Sequence, residues 1–395
     1  MKRMDRTKLQ IGAYCLAPYA WTPEHIRDIA RCGIDLMLCV PNDRSLLDRL
    51  EENGVGAVIS GVVPGWFGGM GEKSGCMSEL NPLETYNAQE FEDHPAIWGI
   101  DVGDEPSSAD FPHYGKVFQR VGELFPNQFP YLNLYPGYAM VPWNTPEQVV
   151  QQLGAENFEK YIDEYCANVP SDYLCFDFYP YAANVRQFWD NLKTAAEACR
   201  RTGRSLWIVL QVNSHDERVW TSENRLRLQA YSALAFGAES IFWACYTAGW
   251  WHNQVLDANG AKTQQYDKLR RVNAELHSLG ETYMRYRCVN THIVEDQPLN
   301  AVGFQNVRAD NGERLIVGEM VSRSGGPGAL MICAASDPMD EEPHSVTIRF
   351  STSHDFAHAV KGCAMASLRR DGDGIYSIDV SSCGGVMLIG EEDDD

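Results

Sequence analysis

The sequence predicts an α/β protein, a (β/α)8 or TIM barrel over residues 1–286, followed by an all-β sandwich over 287–395 that ends in an acidic tail. Three observations predict it. Apolar strand-like runs alternate with helix-like segments eight times over about 280 residues, the size and rhythm of such a barrel. The strand runs are nearly continuous in apolar residues, as strands covered on both faces must be. Beyond Cys288 the helical pattern stops, and short alternating runs separated by Gly, Asp, Asn and Ser take over, as in antiparallel sheet.

Residues 9–14 read as the first strand. Thr22-Pro23-Glu24 opens a helix, with Thr22 as N-cap and Pro23 in the first turn, where a missing N–H is harmless. That helix runs to Arg31 and ends at Gly33. A strand over 34–40, a helix over 44–53 closed near Gly54, and a strand over 56–60 follow. A long glycine-bearing loop with Trp66 and Phe67 leads to a helix around 82–92 and the fourth strand, 96–103. The later strands fall at 131–135, 173–178, 206–212 and 240–246, and the later helices at 111–124, 147–168, 185–201, 223–236 and 264–279. An open doubly wound sheet is the rival. Its commonest dinucleotide-binding version is absent, because no Gly-x-Gly-x-x-Gly follows the first strand. The sandwich shows strands at 301–307, 313–320, 329–334, 345–350, 357–360 and 386–389. The glycine-rich stretch 323–328 is a turn and not a phosphate cradle, since no Lys-Ser or Lys-Thr follows it.

The composition narrows the function. A chain of 395 residues with 44% hydrophobic residues can bury a large core. A net charge of -21 disfavours nucleic acid, whose phosphates demand a basic surface, and an anionic membrane equally. A neutral or cationic small substrate fits better. The 12 cysteines are scattered, with no C-x-x-C pair, and Cys15, Cys39, Cys175 and Cys245 sit in apolar runs as small hydrophobes. This usage points to a reducing compartment. The stretch 11–18 is too short and mixed for a secretion signal, and no run reaches transmembrane length, so a cytoplasmic protein is expected unless a leader precedes Met1. A homo-oligomer stays open. No His-x-His or His-Glu-x-x-His spacing and no phosphate motif appear, so neither metal nor cofactor is expected. A Ser/His/Asp site lacks its Gly-x-Ser-x-Gly elbow.

The chemistry concentrates at Gly99-Ile100-Asp101-Val102-Gly103-Asp104-Glu105-Pro106, an apolar strand ending in two adjacent carboxylates. Adjacent acids repel, so one is expected to hold a proton, and a protonated carboxyl beside an ionised one is equipment for acid/base work. The plainer alternative is a solvated loop capping the next helix. In a barrel, catalytic groups gather at the C-terminal ends of the strands. The fifth strand ends in Asn133, Leu134 and Tyr135, the sixth in Asp177, Phe178 and Tyr179, and the seventh in Gln211. The eighth carries Trp243 and Tyr246, then Trp250 and Trp251, and the loop after the third offers Trp66. Aromatic faces can stack on sugar rings while amides and carboxylates satisfy the hydroxyls. Glu105 is the expected acid, with Asp104 and Asp177 as candidates for the second catalytic role. The alternatives are a capping role for Asp104, a salt bridge for Asp177 and core packing for the aromatics. His215 and His252 are lone loop histidines.

At these residues the chain resembles the barrel glycoside hydrolases of the large group whose acid/base glutamate closes the fourth strand, often as Asn-Glu-Pro. Asp104-Glu105-Pro106 looks like a variant of that motif, Trp243 matches the aromatic common at the end of strand eight, and the last domain is similar to the small β-sandwich that often follows such barrels. The resemblance implies cleavage of a glycosidic bond with Glu105 as acid/base. One departure stands out. Gln211 occupies the place of the strand-seven nucleophile of the retaining members, and an amide cannot form the usual glycosyl ester. Glu217, six residues later, is a distant substitute. The Asp104-Glu105 pair also resembles the substrate-assisted hexosaminidases, in which the aspartate orients an N-acetyl group, with Tyr179 as hydrogen-bond donor. An inverting mechanism through Asp177 is equally open. The rivals are a carbohydrate-binding barrel without catalysis and a lyase or other sugar-modifying barrel.

Overall fold

The computed structural model describes residues 3–63, 92–140, 152–337, 339, 342–354, 356–362, 364–372 and 374–391. Two compact units emerge. One holds Met1–Arg6, Gln10–Val219 and Ser240–Thr263, and the other Thr7–Leu9, Trp220–Glu239 and Gln264–Asp395.

The first unit is built on eight parallel strands: β1 (Gln10–Tyr14), β2 (Leu36–Pro41), β3 (Gly56–Ser60), β4 (Ile97–Asp104), β5 (Phe129–Asn133), β6 (Tyr173–Asp177), β7 (Ser205–Gln211) and β8 (Ala238–Ala244). Neighbours run β5-β4-β3-β2-β1-β8-β7-β6. The seam between β5 and β6 is bridged in parallel at Leu134 and Phe176, where Leu134 N–H donates to Cys175 O at 2.9 Å. The sheet is thus the expected barrel, nearly closed. Around it lie α1 (Pro23–Arg31), α2 (Arg44–Glu52), α3 (Phe111–Leu124), α4 (Phe158–Asn168) and α5 (Val185–Thr202).

Local chemistry explains the element ends. Thr22 Oγ1 accepts the His25 N–H at 3.3 Å, and Pro23 occupies the first turn of α1. Gly33 at φ 73 and Gly203 at φ 73 follow α1 and α5, positions where a side chain would strain the backbone. Two strands differ from expectation. β5 begins two residues early and includes Pro130, whose carbonyl accepts the Tyr173 hydroxyl at 2.8 Å, so the proline sits in the strand without an orphaned oxygen. The expected helix over 147–168 is interrupted among the described residues: Gln152 is helical, Gly154 turns at φ 68, and α4 starts anew under the Asn157 cap, whose Oδ1 accepts the Lys160 N–H at 2.9 Å. Trp66, the loop around it and most of the expected helix at 82–92 lie outside the described residues.

The barrel interior is packed with rings. Tyr173 stacks on Trp207 at 3.9 Å, and Phe129, Tyr131 and Phe242 complete the layer. Gly56 makes room for Trp98, which packs against this layer, since a Cβ there would stand 2.2 Å from the Trp98 ring. This layer fills the barrel below the strand ends, so a ligand site can open only above it.

The second unit holds α6 (Glu223–Ala235), α7 (Gln264–Tyr283) and two antiparallel sheets. Its strands are β9 (Tyr286–Val294), β10 (Leu299–Ala301), β11 (Phe304–Ala309), β12 (Leu315–Ser322), β13 (Ala329–Ala334), β14 (Ser345–Thr352), β15 (Phe356–Lys361), β16 (Ala364–Ala366), β17 (Arg369–Gly372), β18 (Ile375–Ser381) and β19 (Gly385–Glu391). They order as β10-β11-β14-β18-β17 and β16-β15-β19-β13-β12-β9. One core joins the two faces, with Phe304, Val346, Ile348 and Phe350 meeting Val317, Leu330, Ile332 and Leu388. The expected sandwich is therefore present. β9 and β18 went unread because Arg287, Asn290, Ser377 and Asp379 interrupt their apolar pattern; antiparallel pairing to β12 and β14 makes them strands.

Candidate active site

β4 ends in an irregularity. Its pairing with β5 slips between Asp101 and Gly103, and Gly103 adopts φ 152. Glu105 follows at φ 47, a left-handed conformation uncommon for a residue with a side chain. Its N–H donates to Asn133 O at 2.9 Å. In a regular strand adjacent side chains point to opposite faces. The bulge and the left-handed turn together bring both Asp104 and Glu105 to one pocket. Tyr161 of α4 steadies the segment, donating to Pro106 O at 2.7 Å while accepting the Tyr135 N–H at 3.2 Å.

The pocket has a volume of about 210 Å³, and its described lining is Tyr14, Asp104, Glu105, Asn133, Tyr138, Asp177, Tyr179, Trp250 and Trp251. Asn133 stands between the aspartates. Its Nδ2 donates to Asp104 Oδ1 and to Asp177 Oδ1, each at 3.0 Å, and its Oδ1 accepts the Cys175 thiol at 3.7 Å, which fixes the amide's orientation. Asp177 also accepts from the hydroxyls of Tyr138 and Tyr179 and is hydrogen-bonded to the carboxyl of Glu105.

The electrostatics follow from this crowding. Burial raises all three carboxyls. Asp177 rises only to about 6, because Asn133, Glu105 and Tyr179 donate to its charged form. Asp104 rises to about 7 under burial and the charge of Asp177, against the Asn133 amide. Glu105 is pushed well above the carboxylate range by burial, then by the charges of Asp177 and Asp104. Glu105 is thus the carboxyl pushed furthest toward its protonated form, beside an Asp177 held closer to the ionised one. The aromatic wall is tight: Trp250 meets Tyr14 edge-on at 5.9 Å, and Trp251 meets Tyr179 edge-on at 5.0 Å and His215 at 5.4 Å.

Of the residues singled out in the sequence, Glu105, Asp104, Asp177, Asn133, Tyr179, Trp250 and Trp251 converge on this pocket. Asn133 is there as a donor to two carboxylates. Five others are elsewhere. Gln211 is buried with its amide engaged by backbone, Nε2 donating to Asn213 O and Oε1 accepting the Tyr181 N–H, both at 3.1 Å. Trp243 is fully buried on the face of β8 opposite Phe242 and Ala244, which belong to the barrel interior. Tyr246 is fully buried outside the lining, and Tyr135 offers its backbone to Tyr161. Glu217 is exposed on its loop. Two lining residues went unnoticed in the sequence. Tyr14 ends β1, and Tyr138 sits on a short 3-10 helix, Gly137–Met140, two residues past Pro136. The strand-end rule could have found Tyr14; nothing local marks Tyr138. Among the described residues no group of three His, Cys, Asp or Glu side chains is arranged to hold a metal.

No family model matches the chain, and no curated protein matches its sequence. Solved structures do match its fold. A cycloisomaltooligosaccharide glucanotransferase of Paenibacillus sp., complexed with cycloisomaltoheptaose, aligns over 97% of this chain and 85% of its own at TM-score 0.58 and 8% identity. An exo-β-1,4-mannosidase of an Opitutaceae bacterium aligns over 70% of this chain and 60% of its own at TM-score 0.48 and 13% identity. Xylanase 10B of Thermotoga maritima aligns over 68% and 95% at TM-score 0.43 and 14% identity. The likeness is one of fold.

Proposed function

We propose that this protein is a glycoside hydrolase acting on a small glycoside or oligosaccharide, with Glu105 as general acid and Asp177 as its ionised partner. The observation that carries the reading is the meeting of Glu105, Asp104 and Asp177 in one pocket walled by Tyr14, Tyr179, Trp250 and Trp251, where burial and the neighbouring charges push the Glu105 carboxyl up. Glycosidic cleavage needs a proton on the leaving oxygen and negative charge near the anomeric carbon as an oxocarbenium ion develops. Glu105 supplies the first and Asp177, with Asp104 beside it, the second. The ring edges and faces of the wall suit the apolar faces of a sugar, and the pocket's volume suits a single ring. The Paenibacillus enzyme, caught with a cyclic oligosaccharide, supports the reading by analogy of fold.

The spacing of the acids favours a second reading of the mechanism. Hydrogen-bonded carboxyls are closer than the roughly 5–5.5 Å of a retaining pair or the 6.5–9.5 Å of an inverting pair. A nucleophile supplied by the substrate, such as an N-acetyl oxygen oriented by Asp104 or Asp177, removes the need for a second carboxyl at the anomeric carbon. The deciding experiment is turnover of paired aryl glycosides carrying a 2-hydroxyl or a 2-acetamido group, beside natural oligosaccharides, with product configuration followed by NMR. Turnover of the acetamido series alone assigns substrate assistance. Binding without turnover of any sugar refutes the hydrolase and leaves a carbohydrate-binding barrel. A cytoplasmic setting is part of the proposal, supported by the free thiols of all ten described cysteines.

A further inference from the structure

Two thiols stand together at the mouth of the barrel, beside the pocket and outside its lining. β1 and β8 pair in parallel from Gln10 with Ser240 to Ala13 with Trp243, and Cys15 and Cys245 each follow that pairing by two residues. The chains stay adjacent there, with Tyr246 N–H donating to Tyr14 O at 2.8 Å and Thr247 N–H to Cys15 O at 3.3 Å. Cys15 adopts φ 70, which turns its side chain out of the strand's alternation, and its thiol shares a hydrogen bond with that of Cys245. A Cβ on the exposed Gly249 would stand 2.7 Å from Cys15 Sγ and 2.9 Å from Cys245 Sγ. Both sulfurs therefore lie against the same exposed glycine.

The two thiols differ in kind. Cys15 is partly exposed and Cys245 is buried. The hydrogen bond from Cys245 draws the Cys15 thiol below its ordinary range, whereas burial pushes Cys245 up. The thiolate is the nucleophile, so reaction begins at Cys15. Asn213 Nδ2 reaches Cys245 Sγ at 3.7 Å and holds it in place for a second step.

We propose that Cys15 is a modification site for low-molecular-weight disulfides and that Cys245 is its resolving thiol. The Cys15 thiolate attacks one sulfur of R–S–S–R, forming Cys15–S–S–R and releasing RS⁻. Cys245 then loses its proton as its sulfur attacks Cys15 Sγ, and a second RS⁻ leaves. Two protein thiols are oxidised to one disulfide, and the reagent is reduced to two thiols. The new bond ties the end of β1, next to Tyr14, to the segment that leads to Trp250 and Trp251, so the pocket wall is bridged at its rim. The inference is independent of the proposed hydrolase activity.

The test treats the full chain with glutathione disulfide and reads intact mass and mapped peptides under denaturing conditions. The wild type should gain one disulfide, between Cys15 and Cys245. Cys245→Ser should stop at the mixed disulfide, with one glutathionyl group retained on Cys15, and Cys15→Ser should leave residue 245 reduced. Should either variant fold poorly, dibromobimane on the wild type gives the same answer, since it fluoresces only after both arms have alkylated and should bridge this pair. The proposal fails if Cys15 of Cys245→Ser stays unmodified, if wild-type Cys15 accumulates as the mixed disulfide, or if its partner maps to the exposed Cys39.

Discussion

Asp101→Asn isolates what burial does to the acids of β4. Asp101 lies three residues before Asp104 in β4; its Oδ2 accepts the Ser60 hydroxyl at 2.8 Å and its Oδ1 the Gly103 N–H at 3.2 Å. Burial outweighs both bonds and raises it from 3.8 to about 6. Below pH 4 the group is neutral in the folded and unfolded chain alike, and it adds no pH dependence. As the pH rises past 4 the unfolded chain releases the proton while the folded chain keeps it, so stability falls; the loss is complete above about 6. Two powers of ten in proton affinity correspond to about 3 kcal/mol. Asparagine keeps the shape, accepts the Gly103 N–H and offers its amide to Ser60 Oγ, which can accept as well as donate. The variant should match the wild type near pH 4 and be more stable by about 3 kcal/mol at pH 8. Urea unfolding followed by circular dichroism at both pH values measures this. Asp104, which the charge of Asp101 helps to raise, should titrate lower in the variant, as carbon-detected NMR of labelled aspartate would show. Parallel pH dependences for the two proteins would refute the reasoning.

Further outcomes are expected at the pocket. Glu105→Gln should lower kcat on a natural sugar leaving group by roughly 10²–10⁴-fold and less on a nitrophenolate; wild-type activity should fall as the pH rises through the raised pKa of Glu105, since the acid must hold its proton. Asn133→Leu removes a donor from each aspartate, a loss of about 1.5–3 kcal/mol per charged hydrogen bond, so the acid limb of the rate profile should move up by about one to two pH steps with KM little changed. Trp250→Ala should raise KM about tenfold, by loss of about 1.4 kcal/mol of ring contact with the sugar, as substrate titration of initial rates would show. Trp243→Ala should instead destabilise the fold by about 3–5 kcal/mol, as for any large buried side chain, which urea unfolding separates from a binding defect.

Much of the fold was legible because it rests on local chemistry. Thr22-Pro23 starts α1, Gly33 follows it, and α3 and β13 match the sequence reading residue for residue, since caps, glycines and apolar runs act over a few residues. β9 and β18 were not legible: their polar residues are tolerated because the strands are half-buried, a property of their neighbours and not of their own sequence. The phase of a strand is a similar case. Trp243 and Phe242 look alike as strand-eight aromatics, and only the register of β8 against β1 decides which one enters the barrel.

The same division runs through the candidate site. By itself the sequence determined that carboxylates, an amide and aromatics end the barrel strands, because strand order and strand direction follow from the alternating pattern. It could not assign Gln211, whose amide is taken by backbone groups that the loop after β7 happens to present. Nor could it find Tyr138, which reaches Asp177 from a short helix outside any strand. Only the tertiary structure decided that Asp104 and Glu105, neighbours in the chain, face the same way, through the bulge at Gly103 and the left-handed Glu105. Only it decided which acid is pushed furthest toward its neutral form. That choice depends on three carboxyls from two strands meeting around one asparagine of a third, where burial penalises every charge and the donors aimed at Asp177 favour its ionised form over that of Glu105.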